Sequence, residues 1–463
     1  MIVNRTDILN ACSRTGANIN QILKNQLAEV KEEVIVQMDE NQVDKERLSV
    51  ERNNLMSGGF GKSACEAVEE SVDRTMAEKF FSKEKHKKNY IMHMSSEILA
   101  NTENEGEVFA IGREDTARYY ALAMNEYNLI TEKEICNCVG LIVSNENFAK
   151  LLNKSVRIDG YEFFGTYLNG EWLFYKTDTN RSFMTLLPFD LVTNLYSRNT
   201  GLLESKVMLK KKVVIAGAGS VGSFIALELA RAGVGYFVLC DSDILEIHNI
   251  CRHQLGWKDV GRYKVDAVKD AILNINPNAI VEVFHGYLQE LPEAFVENVD
   301  MIVGTGDNRE ANAFGNDLAA ALNVPFVNTG CWQRAHAGEV FYWAPNSSSP
   351  TYREAFSNLI SEERSVSHAN YFADEGDERA LNFEPGVSSD IEFVTLIAVK
   401  LIYDLLNVGN GEYTPRVLDY LKNYTLVCNT NKACIGGENA EMFPSPLYIS
   451  NHIILKGLDD ARC

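Results

Sequence analysis

Between positions 217 and 307 the chain gathers the residue types that phosphate chemistry needs. Gly217-Ala-Gly219-Ser-Val-Gly222 fits G-x-G-x-x-G. In that pattern Gly217 permits a tight turn, Gly219 lets backbone N–H groups approach a phosphate, and Gly222 lets a helix pack closely on a strand. A helix pattern from Phe224 to Ala232 follows, so its N-terminus would face the anion. Asp241 ends the next apolar run, at the distance where a carboxylate meets a ribose hydroxyl. Asp243, Asn249, Arg252 and Lys264 come close behind. Two cations and an amide beside a nucleotide turn suit a triphosphate better than a nicotinamide ring, which has no terminal phosphate to neutralise. Val303-Gly-Thr-Gly-Asp307-Asn sets one more carboxylate at a strand end, where Mg²⁺ takes one or two carboxylates plus substrate phosphates.

The elements that must position these residues alternate. Apolar runs at Val213–Ala216, Tyr236–Cys240, Ile280–Phe284, Met301–Gly304, Pro325–Asn328 and Gly338–Trp343 read as strands. Helical patterns at Lys264–Ile275, Glu310–Leu322 and Ile391–Leu406 lie between and after them. Such alternation predicts a parallel α/β sheet, doubly wound, with ligand bound outside the carboxyl ends of its strands.

The ordered set GAGSVG, Asp241-x-Asp243, Asn249-x-x-Arg252, Gly261-x-x-Lys264 and Thr-Gly-Asp307-Asn resembles the ubiquitin-activating-enzyme superfamily of ThiF/MoeB/HesA-type adenylyltransferases. The resemblance runs over residues 193 to 407 and implies a Rossmann-like adenylation domain. It also implies ATP with Mg²⁺ held by Asp307, and a small ubiquitin-like or sulfur-carrier protein whose C-terminal carboxylate is adenylated. Leu195-Tyr-Ser-Arg198-Asn resembles the family's R-Y-x-R-Q segment, which implies a homodimer with Arg198 serving the partner's site. Arg252, Lys264 and Arg198 would then offset polyphosphate charge, and Asn249 would orient it. Two departures stand out. His253 replaces a common Gln, and Pro350-Thr-Tyr-Arg-Glu stands where a zinc-binding Cys-x-x-Cys is expected. The family's crossover loop falls at 345–390, and it contains no cysteine. The expectation is an adenylate formed without an obligatory thioester on this chain, then intercepted by a sulfur donor or a conjugating enzyme's cysteine. Cys331, Cys434 and Cys463 are the thiols that could overturn it. The long N-terminal half favours an activating enzyme of a bacterial ubiquitin-like pathway, with antiphage defence one setting. Alternatives are a sulfur-carrier adenylyltransferase of cofactor biosynthesis, an NAD-dependent oxidoreductase and a non-catalytic scaffold.

The 463 residues, 46% of them hydrophobic, suffice for two or three domains. A net charge of −20 argues against nucleic-acid or membrane-surface binding. Scattered cysteines, with neither a membrane span nor a signal-peptide pattern, point to a reduced, cytoplasmic protein. Residues 1–90 read as helical and charged, with Ile19, Ile22, Leu23, Leu27, Val30 and Val34 at helical spacing. Ser57-Gly-Gly-Phe-Gly-Lys62-Ser63 reads as a flexible turn rather than a phosphate loop. Residues 91–192 read as an α+β accessory domain, with helices at Asp115–Tyr127 and Glu132–Cys138 and a hairpin at Asn169-Gly170. Residues 193–410 read as the adenylation domain, and 411–463 as a C-terminal β-rich tail.

Overall fold

The structure, a computed structural model, describes residues 89–103, 105–154, 158–306, 308–357, 360 and 385–454. The chain divides after Asn89. The helix and the Ser57–Ser63 turn expected before it lie outside the described residues.

Strands β1 (Tyr90–Ser95), β2 (Gly106–Arg113), β3 (Arg118–Leu122), β4 (Cys138–Ile142), β5 (Phe163–Leu168), β6 (Glu171–Lys176) and β7 (Phe183–Phe189) close into a barrel in the order β1-β3-β2-β4-β5-β6-β7. Alternate residues fill it, among them Met92, Met94, Val108, Ala110, Tyr119, Ala121, Phe163, Phe174 and Met184. β5 and β6 meet at Asn169-Gly170, whose φ values of 54° and 88° give the expected two-residue hairpin turn. The two helices expected upstream are not there. Arg118–Leu122 is strand β3, because Tyr119 and Ala121 alternate into the barrel, and helix begins only at Met124. Lys133–Ile135 is a single 3₁₀ turn, and Cys138 opens β4.

The second sheet has eight strands: β8 (Lys212–Ala216), β9 (Tyr236–Cys240), β10 (Ile280–Phe284), β11 (Met301–Gly304), β12 (Phe326–Cys331), β13 (Ala337–Trp343), β14 (Tyr424–Cys428) and β15 (Tyr448–His452). They lie in the order β10-β9-β8-β11-β12-β13-β14-β15. The first five are parallel and the last three an antiparallel meander. Successive residues of β8 enter opposite layers. Val213 and Ile215 pack with helices α1 (Ser220–Ala232), α2 (Lys264–Ile275) and α4 (Ser388–Leu406), whereas Val214 packs with α3 (Arg309–Leu322). This two-sided burial explains why the parallel strands read as unbroken apolar runs. Strand order reverses between β8 and β11, which opens a crevice at their carboxyl ends.

Strands β14 and β15, in the segment expected as a β-rich tail, extend this sheet. What ties the tail in is Asp404, 1% exposed near the end of α4. Its carboxylate accepts from the N–H groups of Arg416, Val417 and Leu418 at 2.7–2.9 Å and from the Tyr413 hydroxyl at 2.6 Å. Of the segment expected as a crossover loop, Tyr352–Ala355 is a helical turn capped by Thr351, and residues 361–384 lie outside the described residues.

Candidate active site

The glycine turn leaves β8 and enters α1 beside the crevice. Gly217 has φ +100°, and a Cβ there would sit 2.7 Å from Thr305 Oγ1. A Cβ on Gly222 would sit 2.0 Å from the Gly217 carbonyl oxygen. Neither position admits a side chain. Gly219 differs, since a Cβ there would meet nothing within 4 Å. Its open side is a cradle, at the N-terminus of α1, into which an anion's oxygens fit.

Three elements hold the turn. From the end of β11, Thr305 donates its hydroxyl to Ala216 O at 3.0 Å and Gly217 O at 2.9 Å. From the end of β9, Asp241 Oδ2 accepts the Ala218 N–H at 2.7 Å, while its Oδ1 accepts the Asp243 N–H at 2.8 Å. Burial pushes the Asp241 carboxyl above its ordinary range, against the pull of these N–H groups and Lys264. Asp241, expected on a ribose, is thus also the clasp between the turn and the D-x-D loop. Each of its oxygens retains lone-pair capacity for a hydroxyl. The third element is His253, whose Nε2 lies 2.8 Å from Ala218 O.

Lys264 opens α2. Its Nζ lies 2.7 Å from Asp243 Oδ2, and its N–H donates to Asp243 O at 2.9 Å. Asn249 is half-buried, and its Oδ1 accepts the Glu246 N–H at 2.9 Å. Its carbonyl accepts the N–H groups of Arg252 and His253 at 3.0 and 2.9 Å, so it orients Arg252 through the backbone. Arg252 is half-buried and close enough to Cys331, at the end of β12, to act on its thiol electrostatically. The structure therefore brings Gly217, Gly219, Gly222, Asp241, Asp243, Asn249, Arg252 and Lys264 to one end of the sheet.

Two expected residues are not in that set. Asp307 lies outside the described residues. On either side of it, Thr305 is bonded to the glycine turn, and Asn308 caps α3 by accepting from the N–H groups of Glu310 and Ala311. Arg198 is exposed in the turn after Leu191–Leu195. Next to it Tyr196 is buried against Gly233, with its hydroxyl 3.4 Å from Ala230 O. Among the described residues no hydrogen bond or ion pair ties Arg198 to the site within its own chain.

Sequence reasoning missed the work of Thr305 and His253, although it flagged His253 as a departure. It also missed Glu339 on β13. This buried carboxylate accepts from Trp332 Nε1 at 3.2 Å and the Tyr424 hydroxyl at 2.8 Å, and pairs with Arg309 at 3.4 Å. No local signal announces it, because its partners come from three separate segments. Burial, with Asp390 nearby, pushes the Cys331 thiol up to about 12, and Arg252 only partly offsets this. Cys251 and Cys434 are exposed. Among the described residues no helix is long and apolar enough to cross a membrane.

Residues 193–433, just over half of the chain, match the ThiF family. Similar curated proteins include the adenylyltransferase and sulfurtransferase uba4 of Aspergillus clavatus. It is 32% identical over 152 residues, which make up 30% of this chain and 31% of the relative. The ubiquitin-like modifier-activating enzyme 5 of Caenorhabditis elegans is 28% identical over 171 residues, 33% of this chain and 41% of the relative. The chain spans roughly a third to just over half the length of the curated relatives it matches. Among solved structures, E. coli MccB with ATP aligns with 58% of this chain and 74% of its own, at 17% identity and a TM-score of 0.42.

Proposed function

Because the chain belongs to the ThiF family, we propose that it adenylates the C-terminal carboxylate of a small ubiquitin-like or sulfur-carrier protein. The observation that supports this reading is the bonded chain that ties these residues to the glycine turn: Asp241 holds Ala218 and Asp243, Lys264 pairs with Asp243, and Asn249 carries Arg252 and His253, which in turn reaches Ala218. A carboxylate oxygen of the carrier attacks the α-phosphorus of ATP. A new O–P bond forms, the bond to the bridging oxygen breaks, and pyrophosphate leaves. The protein's part is to position and to neutralise charge. The N-terminus of α1 and the Gly219 N–H receive phosphate oxygens. Asp241 accepts from the ribose, and Lys264 leaves Asp243 for the polyphosphate as Arg252 closes from the other side. Asp307 is proposed as the ligand of Mg²⁺, which supplies further charge neutralisation on the phosphates.

We also propose that two chains pair so that Arg198 completes the neighbouring site, since among the described residues of its own chain no hydrogen bond or ion pair engages it. For the setting we propose, from the long N-terminal half, conjugation of a ubiquitin-like protein in a bacterial pathway such as defence, and, from the scattered cysteines, a cytoplasmic location. The test is carrier-dependent exchange of labelled pyrophosphate into ATP. Mixing Arg198→Ala chains with Asp307→Ala chains should restore part of the exchange that each lacks. No recovery between chains that still associate would refute the shared site, and no exchange with any candidate carrier would refute adenylation.

A further inference from the structure

We infer that His253 is a positioning residue that aims the Gly219 N–H at the nucleotide's phosphates. The inference rests on the proposed nucleotide reading and deepens it. Its basis is the hydrogen bonding on both sides of the imidazole. Leu255 N–H can only donate, and it lies 3.2 Å from His253 Nδ1, so Nδ1 accepts and the ring proton sits on Nε2. Nε2–H therefore donates to Ala218 O at 2.8 Å, and the ring is neutral. His253 is 8% exposed, so this bond is made without competition from solvent.

The consequence comes from peptide planarity. In a trans peptide the C=O of one residue and the N–H of the next point in opposite directions. With the Ala218 carbonyl drawn onto the imidazole, the Gly219 N–H must point the opposite way, away from His253, on a glycine whose Cβ position is itself open. The preceding peptide is fixed in the same way, by Asp241 on the Ala218 N–H and by Thr305 on the Gly217 carbonyl. One peptide is thus spent on holding the turn and the next is presented to ligand. A Gln in this position could copy both bonds through its amide, donating from nitrogen and accepting at oxygen. A shorter or apolar side chain could not.

The test compares His253→Leu, His253→Asn and His253→Gln with the unsubstituted chain by calorimetric titration with Mg·ATP and, separately, with adenosine. His253→Leu and His253→Asn should each bind ATP about tenfold to a hundredfold more weakly, as expected when an N–H bond to a charged oxygen is lost. Adenosine, which has no phosphate, should bind all four chains alike, and His253→Gln should keep most of the ATP affinity. Should one of the weakened variants fail to melt cooperatively, the other carries the comparison. Equal ATP affinity in the variants, or an equal loss for adenosine, would overturn the role of His253 alone. An unsubstituted chain that binds no ATP would overturn the nucleotide reading and this inference with it.

Discussion

Two lysines, one in the barrel and one at the crevice, look alike by ordinary measures. Lys176 pairs with Glu114, their side chains 10% and 57% exposed, and Lys264 pairs with Asp243, at 12% and 63%. Their surroundings separate them. Lys176 lies 4.9 and 5.5 Å from the rings of Tyr90 and Tyr119, and Glu114 also accepts from the Tyr119 hydroxyl at 2.5 Å. Burial alone would lower the Lys176 pKa, but its hydrogen bonds to Glu114 and Tyr119 outweigh that and raise it. That cluster is closed on itself. Lys264 stands at the first turn of a helix, near enough to act electrostatically on Asp241 and His253, the two residues that grip the turn proposed to receive phosphate. The lesson is that a half-buried ion pair identifies neither structure nor function. What decides is whether the groups around it are already satisfied.

The largest effect should break the resemblance between the two. Lys264→Ala should cut pyrophosphate exchange by about 10²–10³-fold with melting little changed. Lys176→Ala should leave exchange per folded molecule intact and lower stability by about 1–2 kcal/mol. Exchange lost in the barrel variant with its fold intact would end the distinction.

Next in size is an acid response expected at the crevice. Burial lowers the His253 pKa to about 4, against an ordinary 6.5. As pH falls through 6.5 the unfolded chain takes up a proton that the folded chain refuses. Stability is therefore full above 6.5, falls between 6.5 and 4, and stops falling below that, for a total of about 3 kcal/mol. His93 in the barrel is lowered in the same direction, by burial and then by Arg118. The contribution of the crevice is therefore the difference between the unsubstituted chain and His253→Gln in urea melts from pH 7 to 4. Parallel curves would remove it.

Two glycines sharpen the contrast further. A Cβ on Gly140 would meet the Phe163 ring at 2.0 Å, and the ring can shift only by disturbing the barrel core. Gly140→Ala should cost about 1–3 kcal/mol and spare ATP affinity. Gly222→Ala meets backbone instead and should displace the turn, so calorimetry should show ATP affinity falling before stability does. The smallest effect belongs to Cys331. Its raised pKa leaves almost no thiolate at neutral pH, so Cys331→Ala should leave exchange unchanged, and no reducible adduct with carrier should depend on it. A gel band that vanishes in this variant would contradict that.

The same contrast governs what was legible in the sequence. β8, β9 and β11 are buried on both faces and lie between glycine and aspartate signals, so they were readable to within a residue. The barrel was readable only at Asn169-Gly170. Elsewhere its alternation is short, and Arg118-Tyr-Tyr-Ala-Leu satisfies helical spacing as well as strand spacing until its closure partners are known. At the site, residue types and spacing were enough to gather the charged set at one end of the sheet. They could not reveal that Asp241 and His253 grip opposite sides of Ala218, because that depends on side-chain direction in three dimensions. Glu339 was invisible for a similar reason, its partners being remote in sequence.

The clasp at Asp404 has a consequence for the order in which the molecule can assemble. The turn, its two neighbouring strands and α1 are close in sequence and can form early, since short loops close at little entropic cost. The meander cannot, because β13 waits for β14 across some eighty residues of chain. Until then the edge of β13, with Val340 and Phe341, is unpaired, and Asp404 must enter an apolar helix interface without the N–H groups that neutralise it. A chain arrested at that stage would carry a formed nucleotide turn beside a sticky, open sheet edge. The chain must therefore be made through β14 before both the Asp404 carboxylate and the edge of β13 find their partners.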